Sequence, residues 1–391
     1  MNFLKIAYIS YYDFSLDTAA TEHIIQTVEG LSRLGHKIWL FAPSFGRREF
    51  SANIQAVLVP RSNVLLFDSA VVRALRKSEV EFDIVYLRDY MGASRAVKYA
   101  VENNFPLVIE HNGLMYAETP LVSSMAQKIL LWLDDRSRLK RRLLKADINI
   151  VVTEEIGKFF VKKFGIAREK LVHIPNGVDI ARFKPCDDKT ALRKKLGLNP
   201  PDAFWLGYIG SMYPWHILDV VISAFEQIAK RRNDVRLFIG GRGQELEKIT
   251  ALINRSDFKN YIYLKSPLPI EESDLYISSM DVNIALMSPC VAPYCWQVKV
   301  NHSGACGVPS VITYDKQFKK LFDAGVAVPA KELSPVGVAK TFEELLDRKK
   351  LNEMSVKMRS FVEKNLSWDK IVEEIEKVIQ SAIRRKKIGQ N

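Results

Sequence analysis

Four consecutive residues in the second half of the sequence, Gly240, Gly241, Arg242 and Gly243, combine a flexible backbone with a fork of hydrogen-bond donors. They follow an apolar run that predicts a strand, and they precede a helical pattern. In such a turn the backbone N–H groups can approach a nucleotide, and an arginine suits the oxygens of a base or a phosphate. The turn therefore predicts a nucleotide site, although the same glycines would also suit a tight connection.

A second polar cluster lies in the segment YCWQVKVNHSGACGVPSVI, residues 294–312, which predicts a helix followed by a strand. A glycine after the last turn and a proline two residues later are the expected terminators of such a helix. We expect Lys299, Asn301 and His302 to form its exposed polar face. Their crowding into one turn of an otherwise apolar segment raises the question of what they bind.

The elements that would position these residues alternate between strands and helices. Runs such as KIAYIS and HKIWLFAP alternate with helical patterns in the first half, and FWLGYIGS and VRLFIGG begin the alternation again in the second. This pattern predicts two α/β halves, each a Rossmann-like, doubly wound parallel sheet. Ligands of open α/β sheets bind at the carboxyl ends of the strands, so we expect the sites on loops that follow strands, where the two halves face each other across a cleft.

The join between the halves is predicted near residues 175–201, where PNGVD, FKP and LNPPD cluster turn signals. We therefore predict a first domain over residues 1–180 and a second over residues 181–365. Residues 366–391 predict a C-terminal helix that crosses back to the first domain.

Length and composition suit a soluble two-domain protein, with 391 residues, 48% of them hydrophobic and 26% charged. No apolar run is long enough to cross a bilayer, and the N-terminal MNFLKIAYISYY predicts a strand rather than a signal peptide, so we expect a cytoplasmic protein. The four cysteines lack the spacing of zinc ligands. The formal net charge of +12 implies an anionic partner, either nucleic acid, an acidic membrane surface or a phosphorylated small molecule, unless it is only a basic solvated surface.

Five stretches, in the same order along the chain, resemble glycosyltransferase family 4, the retaining group with the two-domain GT-B fold. They are the turn GHK (35–37), the interdomain segment VHIPNGVDIARFKP (172–185), the strand, loop and helix FWLGYIGSMYPWHILDVVISAF (204–225), the turn LFIGGRGQELEKI (237–249) and the segment WQVKVNHSGACGVPSVI (296–312). The resemblance implies transfer of a sugar from a nucleotide-sugar to an acceptor hydroxyl, with retention at the anomeric carbon. It places the nucleotide, UDP or GDP, on the second half and the acceptor on the first. No metal or other cofactor is usually required, because helix N-termini and cations stabilise the departing diphosphate.

On the donor side, the resemblance directs attention to Gly210, Ser211 and His216, besides Gly241 and Arg242 in the glycine turn. Many relatives carry an arginine at the position of Ser211 and a lysine at that of His216. Both cations are replaced here. His216 could still donate to a phosphate when it is protonated, or it could be a loop histidine that binds no ligand.

The family also uses two glutamates, with seven residues between them, on the helix of the segment 294–312. Tyr294 and His302 take their positions. A carboxylate there accepts from both ribose hydroxyls. His302 can accept one such bond, Asn301 could complete the pair, and Lys299 could reach a phosphate.

On the acceptor side, the resemblance implies that a histidine or asparagine at the end of the strand PLVIEHN faces the sugar. His111 and Asn112 are the candidates for catalysis, and side-chain alternation allows only one of them to point into the cleft unless the backbone turns. Arg88, Glu110 and Glu118 fit a subgroup pattern. An Arg88–Glu110 pair could contact substrate, or it could be a buried structural ion pair.

The segment from Lys128 to Lys145, KILLWLDDRSRLKRRLLK, is amphipathic and basic. It predicts either an ordinary helix packed on the first sheet or a patch for an anionic membrane surface. The second interpretation suits an enzyme at the inner face of a membrane with a lipid-linked or polysaccharide acceptor.

Three other functions remain open from the sequence. The missing glutamates would suit a GT-B protein with weakened transfer activity that binds a sugar or a partner. A nucleotide-sugar epimerase would need acid and base carboxylates, for which Glu110 and Glu118 are the candidates. Nucleic-acid binding rests on net charge alone, without a helix-turn-helix, zinc-finger or RNP-type signature, and we do not expect it.

Overall fold

The structure, a computed structural model, describes residues 3–16, 18–60, 63–114 and 138–388. Glu118 and most of the predicted basic segment 128–145 lie outside the described residues. The chain divides into two compact units. The first consists of Met1–Asn176, Tyr294–Trp296 and Trp368–Asn391, and the second of Gly177–Pro293 and Gln297–Ser367.

The described part of the first unit is built on a parallel sheet of seven strands in the order β3-β2-β1-β4-β5-β6-β7. Its central strands are buried over their whole length or nearly so, as expected for a sheet covered on both faces. The strands are β1 (Lys5–Ile9), β2 (Lys37–Ala42), β3 (Ile54–Leu58), β4 (Ile84–Arg88), β5 (Leu107–His111), β6 (Ile148–Val151) and β7 (Leu171–His173).

The described helices of this unit begin with side-chain caps where the sequence offers them. Thr18 and Thr21 form a capping box at the start of the first helix, and Thr153 caps the fifth, which ends at Gly165 in the left-handed conformation. The helices are α1 (Ala19–Arg33), α2 (Val64–Lys77), α3 (Ser94–Glu102), α4 (Lys140–Lys145) and α5 (Glu154–Phe164).

The second unit is a parallel sheet of six strands in the order β10-β9-β8-β11-β12-β13. Its strands are β8 (Phe204–Ile209), β9 (Val235–Gly240), β10 (Ile262–Lys265), β11 (Val282–Ala285), β12 (Ser310–Thr313) and β13 (Ala327–Ala330). Its helices are α6 (Lys189–Lys195), α7 (Leu218–Ala229), α8 (Leu246–Arg255), α9 (Ser273–Ser279), α10 (Val298–Ala305), α11 (Lys319–Asp323), α12 (Pro335–Glu343) and α13 (Arg348–Asn365).

The last helix, α14 (Trp368–Ile388), packs on the first unit. Gly30 of α1 makes the close approach possible, because a Cβ there would overlap the side chain of Val372. Beside this contact His36 Nδ1 accepts from the Leu4 N–H at 3.1 Å, and its Nε2 lies 2.8 Å from Glu376 Oε2. A hydrogen-bonded imidazole thus ties the helix to the turn before β2.

The predicted fold class, two doubly wound parallel sheets, is confirmed. Both strand orders start at the centre, run outward to one edge and then return to the other side, which is the Rossmann-like winding. In each unit the loops that leave the central strands therefore meet at one edge of the sheet, where the residues of the candidate site are found.

Candidate active site

Glu110 is the centre of a buried hydrogen-bond cluster at the carboxyl end of β5 in the first unit. Its side chain is 2% exposed. Its Oε2 accepts from the Tyr86 hydroxyl at 2.7 Å, and its Oε1 accepts from Asn112 Nδ2 at 2.6 Å. His23 Nε2 lies 2.5 Å from the same Oε1. Protein groups therefore occupy both oxygens of this carboxylate.

Arg88, at the end of the neighbouring strand β4, completes the cluster. One of its terminal nitrogens lies 3.6 Å from Glu110 Oε1. Burial by itself would raise the pKa of Glu110, but His23 and Arg88 hold that pKa well below its usual range. The pair thus has the geometry of a buried structural ion pair, and removing one partner of such a pair costs about 3–5 kcal/mol.

Both nitrogens of the His111 ring face hydrogen-bond acceptors. Nε2 is 3.1 Å from Asn149 Oδ1, and Nδ1 is 3.2 Å from Asp89 Oδ2. The Asn149 amide is oriented by its own Nδ2, which donates to the Leu143 carbonyl at 3.0 Å. The imidazole is therefore held on two sides by protein groups.

Asp89 is itself held by Arg142 of α4. The Nε of Arg142 donates to one carboxylate oxygen at 2.8 Å and a terminal nitrogen donates to the other at 3.2 Å. Burial opposes ionisation of Asp89, but Arg142 and His111 lower its pKa to about 2. Arg142 is 3% exposed. The expectation that it belongs to an exposed basic patch is therefore wrong, because its guanidinium is used inside the first unit.

Asn112 differs from His111 because only one of its two side-chain polar atoms is hydrogen-bonded to a described residue. It follows the last residue of β5, and its Nδ2 is bonded to Glu110. Its Oδ1 is buried and has no hydrogen-bond partner among the residues that the structure describes. Of the two catalytic candidates, Asn112 is thus the one whose side chain keeps an open acceptor.

In the second unit, the glycine turn after β9 packs directly on the loop after β8. Gly241 has a φ of +139°, and a Cβ there would overlap the Gly210 carbonyl oxygen. A Cβ at Gly243 would overlap the backbone of Met212, whose N–H donates to the Arg242 carbonyl at 2.9 Å. The close contact between the two loops is sufficient to explain why glycine is required at positions 241 and 243. The side chain of Arg242 is exposed.

Lys299 lies in the first turn of α10 and reaches the end of β8. Its Nζ is 4.0 Å from the centre of the Tyr208 ring. A Cβ on Gly210 would lie 3.1 Å from the same Nζ. The Ser211 carbonyl, in the next position, accepts from the Tyr208 hydroxyl, and the Ser211 side chain is exposed. A cation thus stands at the carboxyl edge of the second sheet, beside the loop that leaves its central strand.

His216 lies in the same loop and is buried and neutral. Burial, and then the charge of Lys299, hold its pKa well below the usual value, although a bond to the Leu286 backbone opposes this. Its Nδ1 is buried without a hydrogen-bond partner among the described residues. The expected protonated donor to a phosphate is therefore not supported, because a ring that donates to Leu286 through Nε2 leaves Nδ1 as an acceptor.

The predicted exposed face of the α10 segment is wrong. Asn301 is completely buried, and Gly304 on the next turn lies against Met358 and Val362 of α13. The helix is covered by another helix, which sequence periodicity over so short a segment does not reveal.

His302 is stacked on an aromatic ring. The imidazole lies parallel to the Phe183 ring, 4.0 Å between centres and 6° between planes. Burial, and then the charge of Arg182, lower the pKa of His302 to about 3. The ring is therefore neutral and stacked at the position to which the family resemblance assigned a carboxylate.

Tyr294 is not on the helix with His302, as the sequence suggested. It ends a short turn, Ala292–Tyr294, and α10 begins four residues later at Val298. It is grouped with the first unit, where its ring centre is 6.1 Å from that of Phe159.

Sequence reasoning missed Gln297, the residue immediately before α10. Its side chain is 3% exposed, and neither Oε1 nor Nε2 has a hydrogen-bond partner among the described residues. It stands at the N-cap without making a side-chain cap bond. The sequence does carry a hint of this role. Glutamine is not among the preferred N-cap residues, so a glutamine directly before a helix suggests a function other than capping.

Two features are absent from the part of the chain that the structure describes. No group of three or more histidine, cysteine, aspartate or glutamate side chains is placed to hold a metal ion. Within the same ranges, no helix combines the length and the apolar character needed to cross a membrane.

Two protein-family models match the chain. The model of Glycosyltransferase Family 4 matches residues 20–182, and that of Glycosyl transferases group 1 matches residues 203–348. Together they cover most of both units.

Two curated relatives match shorter stretches. A D-inositol 3-phosphate glycosyltransferase of Nocardia farcinica is 30% identical over 118 residues, 29% of this chain and 26% of the relative. A GDP-mannose-dependent monoacylated alpha-(1-6)-phosphatidylinositol monomannoside mannosyltransferase of Corynebacterium glutamicum is 30% identical over 111 residues, 28% of this chain and 29% of the relative. The chain thus spans less than a third of the length of these relatives.

Among solved structures, HepE of Anabaena in complex with UDP and glucose superposes with a TM-score of 0.73. The match covers 97% of this chain and 100% of HepE at 16% identity, so it shows a shared fold.

Proposed function

The chain belongs to glycosyltransferase family 4, and we propose that it transfers a sugar from a nucleotide-sugar to a hydroxyl group of an acceptor, with retention at the anomeric carbon. The observation that carries this proposal is the position of Lys299. Its ammonium group stands beside Gly210 at the carboxyl edge of the second sheet. Open α/β sheets bind nucleotides at this edge, and a cation there stabilises a departing diphosphate.

We further propose that the nucleotide is UDP or GDP and that it binds to the second unit. HepE was solved with UDP, and the Corynebacterium relative is named as GDP-mannose-dependent. The exposed Arg242 in the glycine turn adds a second cation that a phosphate or a base could approach.

The acceptor, in this proposal, is a glycan or a lipid-linked molecule that binds to the first unit. The two relatives are named for inositol phosphate and phosphatidylinositol mannoside acceptors. In the first unit, the open Oδ1 of Asn112 is an acceptor for a hydroxyl proton. Asn112 is held in place by its hydrogen bond to Glu110, the centre of the buried cluster.

A membrane surface is proposed as a further partner. In the described part of the segment 128–145, the side chains of Lys140, Arg141, Leu144 and Lys145 are exposed. Replacing the three cations by alanine should weaken binding to anionic vesicles, and the loss should shrink at high salt. If the wild-type protein does not bind such vesicles, a membrane surface is ruled out as a partner.

The direct test of the proposed activity has two steps. UDP or GDP at millimolar concentration should raise the melting temperature of the wild-type protein by mass action. A panel of UDP- and GDP-sugars should then include one whose sugar is released or transferred. If no nucleotide raises the melting temperature and no sugar is released or transferred, the proposed activity is contradicted.

One observation favours a second candidate, a GT-B protein that binds a nucleotide-sugar with little or no transfer. His302 is stacked on Phe183 and offers no carboxylate to a ribose. Stabilisation by UDP or GDP without release of sugar from any donor would support this alternative.

An epimerase is less well supported. The oxygens of Glu110 are occupied by protein donors and its carboxyl group is ionised, so it does not provide a free acid. Glu118, the other candidate, lies outside the described residues.

A further inference from the structure

The side chain of Gln297 is a buried polar group without a protein partner. It is 3% exposed, and among the described residues neither its oxygen nor its nitrogen is hydrogen-bonded. Buried side-chain amides in folded proteins are nearly always bonded, because an unmade bond leaves the loss of water uncompensated. A group with both ends open is therefore the place where a ligand would supply the missing bonds.

The position of Gln297 places it in the donor half of the proposed function. Its backbone carbonyl accepts from the Val300 N–H at 2.9 Å, which closes the first turn of α10. The side chain is not used for capping. Two residues further on, Lys299 carries its ammonium group to the end of β8, beside Gly210. The open amide thus immediately precedes the turn that holds the proposed diphosphate cation.

The chemistry of an amide selects among the parts of a nucleotide-sugar. A phosphate oxygen only accepts hydrogen bonds, so it could satisfy Nε2 but not Oε1. A sugar hydroxyl both donates and accepts, and two neighbouring hydroxyls satisfy both ends of the amide at once. The edge of a uracil or guanine base has the same capacity, but the ribose separates the base from the diphosphate, whereas the transferred sugar is bonded to it directly.

We propose that Gln297 binds hydroxyl groups of the transferred sugar and helps to select the donor. This inference rests on the proposed function and deepens it. A site built to bond a hydroxyl discriminates strongly against donors that lack it, since the amide would otherwise stay buried and unpaired.

The test compares Gln297→Met with wild type by calorimetric titration. Methionine keeps the length of the side chain and removes both hydrogen-bonding atoms. Gln227→Met is the matched control, because Gln227 lies on the partly buried surface of α7. The ligands are UDP-glucose and GDP-mannose, together with the sugar-free UDP and GDP.

For the sugar-linked ligand that wild type binds, we expect the affinity of Gln297→Met to fall about tenfold. Its affinity for the matching sugar-free nucleotide should stay within about twofold of wild type. The melting temperature of the ligand-free variant should not fall, because methionine leaves no buried amide unpaired. Gln227→Met should bind all ligands as wild type does.

Other results would overturn the inference in separable ways. Equal losses for sugar-linked and sugar-free nucleotides would assign Gln297 to the base or the diphosphate. Unchanged affinities would show that it binds no part of the donor, and a lower melting temperature with unchanged affinities would make it structural. Wild type that binds none of the four ligands would contradict the proposed function itself.

Discussion

At the scale of single residues, the structure separates His111 from Asn112, which the sequence could only name together. His111 uses both ring nitrogens inside the first unit, on Asp89 and Asn149. Asn112 gives one bond to Glu110 and keeps its Oδ1 open. The difference follows from side-chain alternation at the end of β5, but the partners of His111, Asp89 after β4 and Asn149 in β6, could not be known in advance.

We expect substitution of His111 to lower mainly the stability of the protein and substitution of Asn112 to lower mainly its turnover. His111→Ala leaves the charge of Asp89 with one partner fewer, and it should cost about 3 kcal/mol of unfolding free energy. Asn112→Ala removes one neutral donor to Glu110 and should cost about 1 kcal/mol, while it lowers donor turnover at least about tenfold. Urea unfolding and release of nucleotide from the preferred donor measure the two effects. Wild-type turnover in Asn112→Ala would contradict its catalytic assignment.

The stacked His302 predicts a pH dependence of stability with a definite sign. Burial and the charge of Arg182 lower its pKa from 6.5 to about 3. Between these pH values the unfolded chain binds a proton that the folded chain does not, so stability falls as pH falls from about 6.5 towards 3. The slope is at most about 1.4 kcal/mol per pH unit for this one group.

His302→Phe should keep the stack on Phe183 and remove this titration. The variant should therefore gain stability relative to wild type between pH 7.5 and pH 4.5, as measured by urea unfolding at both pH values. His23 and His216 titrate in both proteins, so the difference isolates His302. A stability difference that does not change with pH would show that the ring is not held neutral.

At the scale of elements, the central strands could be predicted because they are apolar and buried. The strands β3, β7 and β13, which lie at edges of the two sheets, have a weaker signal in their own sequence. In β3 only Ile54 is fully buried, β7 has three residues, and β13 contains Pro329, which argues against a strand anywhere but at an edge. These segments form strands because a neighbouring strand pairs with them, and their own hydrophobic pattern does not predict that pairing.

The same limit explains α10 and Gln297. A run of apolar residues from 294 onward suggested a longer helix, whereas the structure starts it at Val298. The burial of Asn301 and the packing of Gly304 on α13 depend on tertiary structure, which the sequence of this segment does not show. Lys299, whose type and place the family pattern supplied, stays a predicted site residue of this segment.

The packing of α14 on α1 gives a prediction about two helical glycines. Gly30→Ala should destabilise by about 1–3 kcal/mol, because the new methyl group would overlap Val372. Gly157→Ala in α5 meets only Val151, at 3.5 Å, and should stabilise by about 0.5–1 kcal/mol through helix propensity. Thermal unfolding of both variants is the measurement. Stabilisation by Gly30→Ala would show that the contact between α1 and α14 is not tight.

At the scale of the whole molecule, alternation along the sequence was sufficient to predict two Rossmann-like units, because parallel strands need a long crossover connection, which is usually a helix. The net charge of +12 predicted an anionic partner but could not choose one. The structure narrows the choice through one cation, Lys299, which stands at the sheet edge that binds nucleotides in this fold class. The sugar and the acceptor depend on a few side chains, and composition does not encode them.

We therefore expect the second unit to bind a nucleoside diphosphate through Lys299, and calorimetric titration of UDP and GDP is the decisive measurement. Wild type should bind one of the two, and Lys299→Met should bind it at least about tenfold more weakly, since a charge-assisted bond to phosphate is lost. Lys331→Met, which removes an exposed lysine of the same unit, should bind like wild type. Equal affinities of wild type and Lys299→Met, or no binding of either nucleotide by wild type at millimolar concentration, would contradict the claim.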